Sequence, residues 1–538
     1  MSKKINFNYL VIFFFISYLI FGHIVFDDYS VTPDELLHRE AGFISLKFLI
    51  ELFSFNFDLP NYQNIPDLNN DWRKTYGVLF DLPAAMIEVI FNLETNEAYL
   101  LRHYLTFLIY FTGIIYFYKF LKNNLTKEKM AFIGVLILIS TPRIFSNSFY
   151  NSRDIVFLSL MIIATYYCLK LLNKNNFKNL VLSAVFCALA SNVRIIGIYL
   201  PILTFIFYFF LENRYKLNSN FIFFIKFFFL YFAVLYITWP FLWLNPIENF
   251  LYVLKESANY PNHWNFRTLY LGNYLNPENL PWHYFFIWFS STTPILFLIT
   301  IICGLIVFIK NYLNFFLKLS FTNNIKLWKN FSQRNELFIF MCFFIPLFFV
   351  ICLNSTLYNG WRHLYFLYPF IIYFALYGLE FVLKKVPKKY KILVFLLLFF
   401  QLTNNIFFIY KSHPIQSVYF NIISKQFIKG NLPVDYFGLG NKKTIDFLIT
   451  ENKKFSISNS SFTPLYILIY ADNDNFSYYE NIQFNGTQIS QKNKSDFIFT
   501  NYYYDRNPKL VEKYQIPANR KSYFKLIIDG IVVNEVFR

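Results

Sequence analysis

The sequence predicts a mainly α, polytopic membrane protein with about eleven transmembrane helices, outer-face loops and a small C-terminal α/β domain. The chain has 538 residues, of which 56% are hydrophobic and only 15% are charged. This composition is unusual for a water-soluble protein of that length. Apolar runs recur along the first three quarters of the chain, and basic residues separate them on alternate connections.

The predicted spans are apolar runs that can cross a hydrocarbon core as helices, which takes roughly 17 to 25 residues each. The clear runs are 7–26, 98–121, 155–172, 195–212, 221–243, 285–309, 337–353, 364–383 and 391–410. Two shorter or interrupted runs, 130–142 and 179–193, complete the set.

The basic residues predict how the chain is oriented. A net charge of +17 can indicate a nucleic-acid partner, but the lysines are not gathered into one basic face. They fall on every second connection, for example in 122–129, 174–178 and 384–391. The positive-inside rule therefore places the N-terminus in the cytoplasm. With an odd number of spans, the C-terminal segment lies outside. Because the lysines form no single basic face, no nucleic-acid partner is expected.

The remaining segments indicate function on the outer side. Two long connections, 27–97 and 244–284, lie on the predicted outer face, whereas the inner connections are short. From residue 411 the chain becomes polar and predicts an exterior α/β domain, 411–538, after a transmembrane domain, 1–410. Within that domain LYILIYA (465–471) is predicted as a strand, and Asp529-Gly530 as the turn of a terminal hairpin.

The motif VTPDELLHRE (31–40) permits two interpretations. Thr32-Pro33-Asp34-Glu35 has the letters of a helix N-terminus, with Thr32 as N-cap and Glu35 at the third helical position. Capping accounts for Glu35 but less well for Asp34, and His38 and Arg39 follow one turn later. From the residues alone, capping and catalysis both stay open.

A second acidic group is expected at the same membrane face. In SFYNSRDIVF (148–157), Arg153 and Asp154 precede a predicted span, where Asp154 could equally be a first-turn helix acid. Positive charge on this face is sparse and comprises chiefly Arg143, Arg194 and the pair Arg362-His363. Such arginines either snorkel to the interface or hold a phosphate.

Together these motifs resemble the GT-C glycosyltransferases, especially the polyprenyl-phosphate-sugar-dependent branch related to protein O-mannosyltransferases. The resemblance is carried by TPDELLHR, TPRIFSNSFYNSRDI, SNVRIIG, NGWRHLYFLYP, HPIQSVYFN and VDYFGLGNKKTIDFL, over residues 1 to about 450. More specifically, the motifs resemble a bacterial subgroup of that superfamily with a small exterior C-terminal domain. A GT-C-like helical bundle in the bacterial inner membrane is therefore implied.

The resemblance implies transfer of a sugar, with inversion, from a polyprenyl-phosphate-linked donor to an acceptor hydroxyl outside the cytoplasm. The acceptor would be a glycan, a lipid or a protein. The catalytic acid of the family falls on Asp34, with Glu35 beside it, and the second acidic position falls on Asp154. The substrate-binding candidates around them are His38, Arg39, Arg143, Arg153, Arg194, Arg362 and His363.

Charge on the leaving phosphate can be neutralised in two ways. A divalent cation, Mg or Mn, held by Asp154 is one candidate. A clamp of arginine and histidine side chains is the other. The main rival function is a lipid-linked-sugar flippase or another transporter, which would call for polar groups in mid-span. The central parts of the spans are almost purely apolar, which favours the enzyme.

Overall fold

The computed structural model describes residues 7–55, 59, 62–212, 217–258, 265–319, 328–452, 454–470, 479 and 481–538. Most of these residues are helical, as the sequence predicts. The helices of the first half are α1 (Phe7–Val25), α2 (Pro33–Phe53), α3 (Asp81–Ile90), α4 (Thr95–Asn124), α5 (Glu128–Ile139), α6 (Pro142–Tyr150), α7 (Asp154–Asn173), α8 (Phe177–Val193), α9 (Tyr199–Glu212) and α10 (Leu217–Thr238). They are followed by α11 (Pro246–Ala258), α12 (Tyr284–Thr292), α13 (Ile295–Leu319), α14 (Phe331–Cys352), α15 (Tyr368–Lys385), α16 (Lys388–Ser412), α17 (Gly440–Glu451) and α18 (Ile489–Lys494).

Every predicted apolar run contains a helix, but the runs differ in length. Among the described residues, eight helices are long and apolar enough to cross a membrane: α1, α4, α7, α10, α13, α14, α15 and α16. The α5–α6 pair would make a ninth, and α8 and the segment 195–208 are shorter apolar helices. The mainly α, polytopic class is therefore confirmed, with eight or nine full-length spans where the sequence predicts about eleven.

Prolines break two of the predicted spans. The run 130–142 ends in a bend of 70° between α5 and α6 at Pro142. The run 285–309 is divided at Pro294 into α12 and α13, and Thr293 has an extended backbone. A proline has no N–H to continue the helix, and it disfavours the α conformation of the residue before it. Both breaks follow from that chemistry.

Close approach of two helices holds the centre of the bundle together. Gly304 of α13 faces Gly378 of α15, and a Cβ at Gly304 would overlap the Phe374 carbonyl. The helical core continues beyond α16, because Ile415, Phe420 and other apolar residues up to 439 pack into it. The predicted domain division at 410/411 therefore stays a prediction, with the first residues of the tail packed against the bundle.

The tail carries a five-stranded mixed sheet. Its strands are β3 (Phe455–Asn459), β4 (Ile482–Asn485), β5 (Phe497–Thr500), β6 (Ser522–Ile528) and β7 (Ile531–Phe537), in the order β4-β3-β5-β7-β6. The earlier hairpin β1 (Thr268–Tyr270) with β2 (Asn273–Leu275) belongs to the second outer loop. The small C-terminal α/β unit is thus confirmed.

Two predictions within the tail have different outcomes. The terminal hairpin is confirmed, because β6 and β7 pair antiparallel around Asp529-Gly530, both with positive φ. The strand predicted at 465–471 is wrong for its described residues, since 465–470 form a 3₁₀ helix. Leu465 and Leu468, three residues apart, both enter the tail core. Such spacing suits a helical turn better than a strand.

Candidate active site

A cavity of about 560 Å³ lies where the ends of several helices meet the tail. The start of α2, the start of α7, the end of α8 and the segment 355–364 bring their side chains together here, and the tail closes one side. These ends lie on one face of the bundle, as the sequence predicts for the outer loops. The lining is both charged and aromatic. A site of this volume suits a small organic group rather than a macromolecule.

Asp34 lies on the wall of this cavity because α2 begins one residue before it. Glu35 fixes that helix start, since its Oε2 accepts a hydrogen bond from the Thr32 amide at 2.8 Å. The Asp34 side chain is 16% exposed. Its Oδ2 accepts a hydrogen bond from Arg362 Nη1 at 2.6 Å, and its Oδ1 accepts one from the Tyr436 hydroxyl. The helix start thus aims Asp34 at the cavity, and two partners orient its carboxylate.

Asp154 lies directly behind the cavity wall and is only 1% exposed. Its Oδ1 pairs with Arg194, and its Oδ2 accepts from Asn151 Nδ2 at 2.9 Å. Arg362 Nη1 also lies 3.5 Å from that Oδ2. A single arginine nitrogen therefore bridges Asp34 and Asp154. The two predicted carboxylates converge as the sequence indicated, in a row of alternating charges that ends at Arg194.

Aromatic rings surround the bridging arginine. The Arg362 guanidinium carbon is 4.9 Å from the centroid of Tyr436 and 5.1 Å from that of Tyr358. The Arg362 side chain is only 6% exposed. Cation–π contacts of this kind partly compensate a guanidinium for lost water. With the centroid of Phe437 at 5.6 Å, the cation is in contact with two carboxylates and three rings.

The predicted histidines and Arg153 also line the cavity. His38 is buried, and its Nδ1 lies 3.4 Å from Ser152 Oγ. Burial, assisted by the positive charge of Arg153, lowers the pKa of His38 to about 3. His38 is therefore a neutral ring at physiological pH. Arg153 donates to the Gly77 carbonyl at 2.9 Å, and His363 packs edge-on against Tyr358.

The structure does not bring Glu35, Arg39 or Arg143 to the cavity wall. Glu35 is used for capping and for a hydrogen bond between its Oε1 and His103 Nε2 at 2.7 Å. Arg39 binds the buried Glu88. Arg143 donates to the Tyr419 carbonyl at 3.0 Å and lies over Phe420. These contacts give all three residues structural roles, so the geometry lends no support to their predicted parts in catalysis and substrate binding.

The predicted divalent-cation site does not fit the donor set of the described residues. Each oxygen of Asp154 already faces a guanidinium, from Arg194 on one side and from Arg362 on the other. No group of three or more His, Cys, Asp or Glu side chains able to hold a metal occurs in the described part of the chain. Hard divalent cations require several oxygen ligands. The cations already present at Asp154 are arginines.

Sequence reasoning assigned no role to several aromatic residues of the site. Tyr76, Tyr358, Tyr436 and Tyr503 all line the cavity. Tyrosines are abundant in this chain, with 42 in total, so a single one carries little signal. Tyr436 lies in the segment VDYFGLG, which contributed to the family resemblance. That resemblance was a signal in the sequence for a role of the tail.

Comparison with known proteins relates part of the chain to a glycosyltransferase family. Residues 82–241 match the family model described as dolichyl-phosphate-mannose-protein mannosyltransferase. This confirms the predicted relation to protein O-mannosyltransferases over that segment, which includes Asp154 and Arg194 but not Asp34. No curated protein matches the chain.

Among solved structures, the chain is similar to ArnT from Cupriavidus metallidurans bound to undecaprenyl phosphate. The two share 12% sequence identity with a TM-score of 0.42. The match covers 98% of this chain and 97% of the other.

Proposed function

We propose that the protein transfers a sugar from a polyprenyl-phosphate-linked donor to an acceptor hydroxyl, with inversion and with Asp34 as the base. The observation that carries the proposal is the Asp34–Arg362–Asp154 cluster at a cavity beside the membrane spans. Such a transfer requires a carboxylate to take the proton of the acceptor hydroxyl and cations to bind the leaving phosphate. The family match over 82–241 supports the same class of reaction.

In the proposed reaction the acceptor O–H proton moves to the Asp34 carboxylate. The acceptor oxygen forms a bond to the anomeric carbon as the bond from that carbon to the phosphate oxygen breaks. The electron pair of the broken bond leaves on polyprenyl phosphate. A single displacement of this kind inverts the anomeric configuration, and no covalent enzyme intermediate is needed.

Arg194 and Arg362 are the proposed partners of the leaving phosphate. Arg194 is 24% exposed at the cavity, next to the apolar residues Ile195 and Ile196. Nε of Arg194 and Nε of Arg362 are buried beside the cavity and have no hydrogen-bond partner among the described residues. Guanidinium groups bind phosphate through such N–H groups. Asp154 then has a positioning role, because it holds both arginines.

The proposal places the reaction on the outer face of a bacterial inner membrane, with the N-terminus in the cytoplasm and the tail outside. The lysine-rich connections carry this orientation, by the positive-inside rule. Each of the helices α1, α4, α7 and α8 runs from one face of the bundle to the other. The cavity and the tail therefore lie on the face opposite those connections. The acceptor is then a hydroxyl of a glycan, a lipid or a protein outside the cytoplasm.

The test incubates the purified protein with a panel of polyprenyl-phosphate sugars and a mixture of glycan acceptors. We expect one donor to be consumed, polyprenyl phosphate to be released, and the product to have the opposite anomeric configuration by NMR. Asp34→Asn should reduce transfer about 100- to 10,000-fold, the usual contribution of a general base. The matched control Asp67→Asn removes an exposed carboxylate of the same outer loop and should leave transfer unchanged.

Two results would contradict the proposal. Retained anomeric configuration would exclude a single displacement. Movement of intact lipid-linked sugar across a vesicle membrane, with no consumption of any donor, would indicate the flippase instead. Ordinary turnover by Asp34→Asn would remove the base assignment alone.

A further inference from the structure

The tail contributes directly to the wall of the cavity. Tyr436, Phe462, Tyr466 and Tyr503 all lie in the tail and line the cavity opposite the helical bundle. Of these, Tyr436 makes the closest connection, because its hydroxyl donates to Oδ1 of Asp34. The two residues are 402 positions apart in the chain. The site is therefore assembled from segments that lie far apart in the chain.

The backbone at Tyr436 is fixed by a compact turn. The buried Asp435 carboxylate accepts hydrogen bonds from the amides of Gly438, Leu439 and Gly440, at 2.9 to 3.2 Å. Gly438 has a φ of +69°, a conformation that glycine adopts without strain. Thr463 Oγ1 also donates to the Tyr436 carbonyl at 3.4 Å. The turn thus holds Tyr436 in one place before any substrate arrives.

The Tyr436 side chain contacts both partners of the central ion pair. Its ring lies 4.9 Å from the guanidinium carbon of Arg362, which itself binds the other oxygen of Asp34. Burial, together with the charge of Asp34, raises the pKa of Tyr436 well above its ordinary value. The hydroxyl is therefore protonated at neutral pH and acts as a donor. A hydrogen bond donated to a carboxylate stabilises its charged form.

We propose that Tyr436 is a positioning residue for the reaction, one that orients the Asp34 carboxylate and donates a hydrogen bond that favours its charged form, so that the tail is part of the active site. This inference rests on the proposed function, since it assigns Asp34 the role of base. Arg362 holds one carboxylate oxygen and Tyr436 the other, which fixes the plane of the carboxylate. One acceptor position then remains on each oxygen, in a fixed orientation, to take a proton.

The environment of Asp34 contains other ionisable groups that any test must keep constant. They come from α2, from the region at the start of α7, from the segment before α15 and from the tail. They are His38, Arg153, Asp154, Tyr358, Arg362 and Tyr503. Replacing Tyr436 by phenylalanine leaves all of them in place. It also keeps the ring over Arg362, so only the hydroxyl is removed.

The test compares wild type, Tyr436→Phe and a matched control, Tyr514→Phe. Tyr514 is buried in the tail and its hydroxyl binds Asp505, so the control removes an equivalent tyrosine–aspartate bond outside the cavity. Carbodiimide with an amine modifies protonated carboxyl groups, and mass spectrometry reads the modification of Asp34 itself across a pH series. The pH dependence of kcat/KM with the consumed donor is measured in parallel.

In Tyr436→Phe we expect the pH midpoint of Asp34 labelling to move upward by about one pH unit. The acidic limb of the pH profile of kcat/KM should move by the same amount. We also expect kcat/KM at neutral pH to fall about tenfold. Tyr514→Phe should superimpose on wild type in both measurements. A purely structural role of Tyr436 would lower the amount of folded enzyme without moving either pH profile.

Three outcomes would count against the inference. An unchanged labelling midpoint in Tyr436→Phe would overturn it, whatever happens to activity. A shifted midpoint with an unchanged pH profile of kcat/KM would show that the bond does not serve catalysis. If wild type consumes no donor, the proposed function fails, while the labelling still decides whether Tyr436 controls the ionisation of Asp34.

Discussion

The ion-pair bridge predicts how strongly the site depends on Arg362. Arg362→Gln removes a cation that lies 2.6 Å from Asp34 and 3.5 Å from Asp154. The Arg362 side chain is 6% exposed and that of Asp154 is 1% exposed, so solvent screens the loss of this cation poorly at Asp154. Removing one partner of a buried ion pair costs about 3 to 5 kcal/mol. We expect a loss of unfolding free energy in this range.

A double-mutant cycle isolates the bridge from other effects of the substitution. In the Arg362→Gln background, Asp154→Asn removes a carboxylate that has lost a neighbouring cation. The double variant should therefore be more stable than the sum of the two single changes predicts. Contacting charged residues show coupling energies of about 0.5 to 3 kcal/mol. The coupling should fall in the upper half of that range.

The assay is equilibrium unfolding in mixed detergent–SDS micelles, followed by circular dichroism of the helical signal. Lys425→Gln serves as a control, because it breaks an ion pair with Asp529 that is partly exposed, and should cost no more than about 1 kcal/mol. Strict additivity of Arg362→Gln and Asp154→Asn would refute the bridge. So would a cost for Arg362→Gln no larger than that of the control.

Three other results are expected. The pKa of His38 is lowered to about 3 in the folded state from an ordinary value of 6.5, so the unfolded chain binds the extra proton between these values. Stability should therefore fall as pH falls from 6.5 towards 3, and His38→Asn should show a smaller loss in the same unfolding assay. A chelator should leave transfer intact, because arginines occupy the oxygens of Asp154; abolished transfer restored by Mg or Mn would contradict this. Gly304→Ala should lower the thermal midpoint by several degrees, because its Cβ would overlap the Phe374 carbonyl, and an unchanged midpoint would contradict that packing.

The parts of the structure that sequence could predict are those set by local chemistry. The start of α2 follows from Thr32, Pro33 and Glu35, which act within four residues of each other. The apolar runs follow from composition, and they predicted a helix in every case. The breaks at Pro142 and Pro294 were also readable from proline chemistry, although 285–309 was predicted as a continuous run and 130–142 only as a shorter or interrupted one.

The convergence of Asp34 and Asp154 was predicted from topology rather than from contacts. Two carboxylates at the outer ends of different spans must lie at one face if the spans alternate. That argument places them near each other but cannot supply the bridge through Arg362, which is 328 residues from Asp34. Such a contact depends on how the helices pack.

The same limit explains the residues whose predicted roles the geometry does not support. Arg39 and Arg194 have identical side chains, although Arg39 lies in the second turn of α2 and Arg194 directly follows the end of α8. They differ in the acid that each one binds. Arg39 pairs with Glu88, which lies away from the cavity, whereas Arg194 pairs with Asp154, which lies beside the cavity. Tyr436 was missed for the converse reason, since its partner Asp34 lies at the other end of the chain.

The measurement that tests the central claim most directly separates donor binding from chemistry in Asp34→Asn. Donor binding is measured by equilibrium titration, and release of polyprenyl phosphate by single-turnover kinetics with saturating donor and acceptor. If Asp34 takes the acceptor proton, the variant should bind donor as wild type does and release phosphate at least 100-fold more slowly. Release at the wild-type rate, or a defect found only in donor binding, would contradict the account.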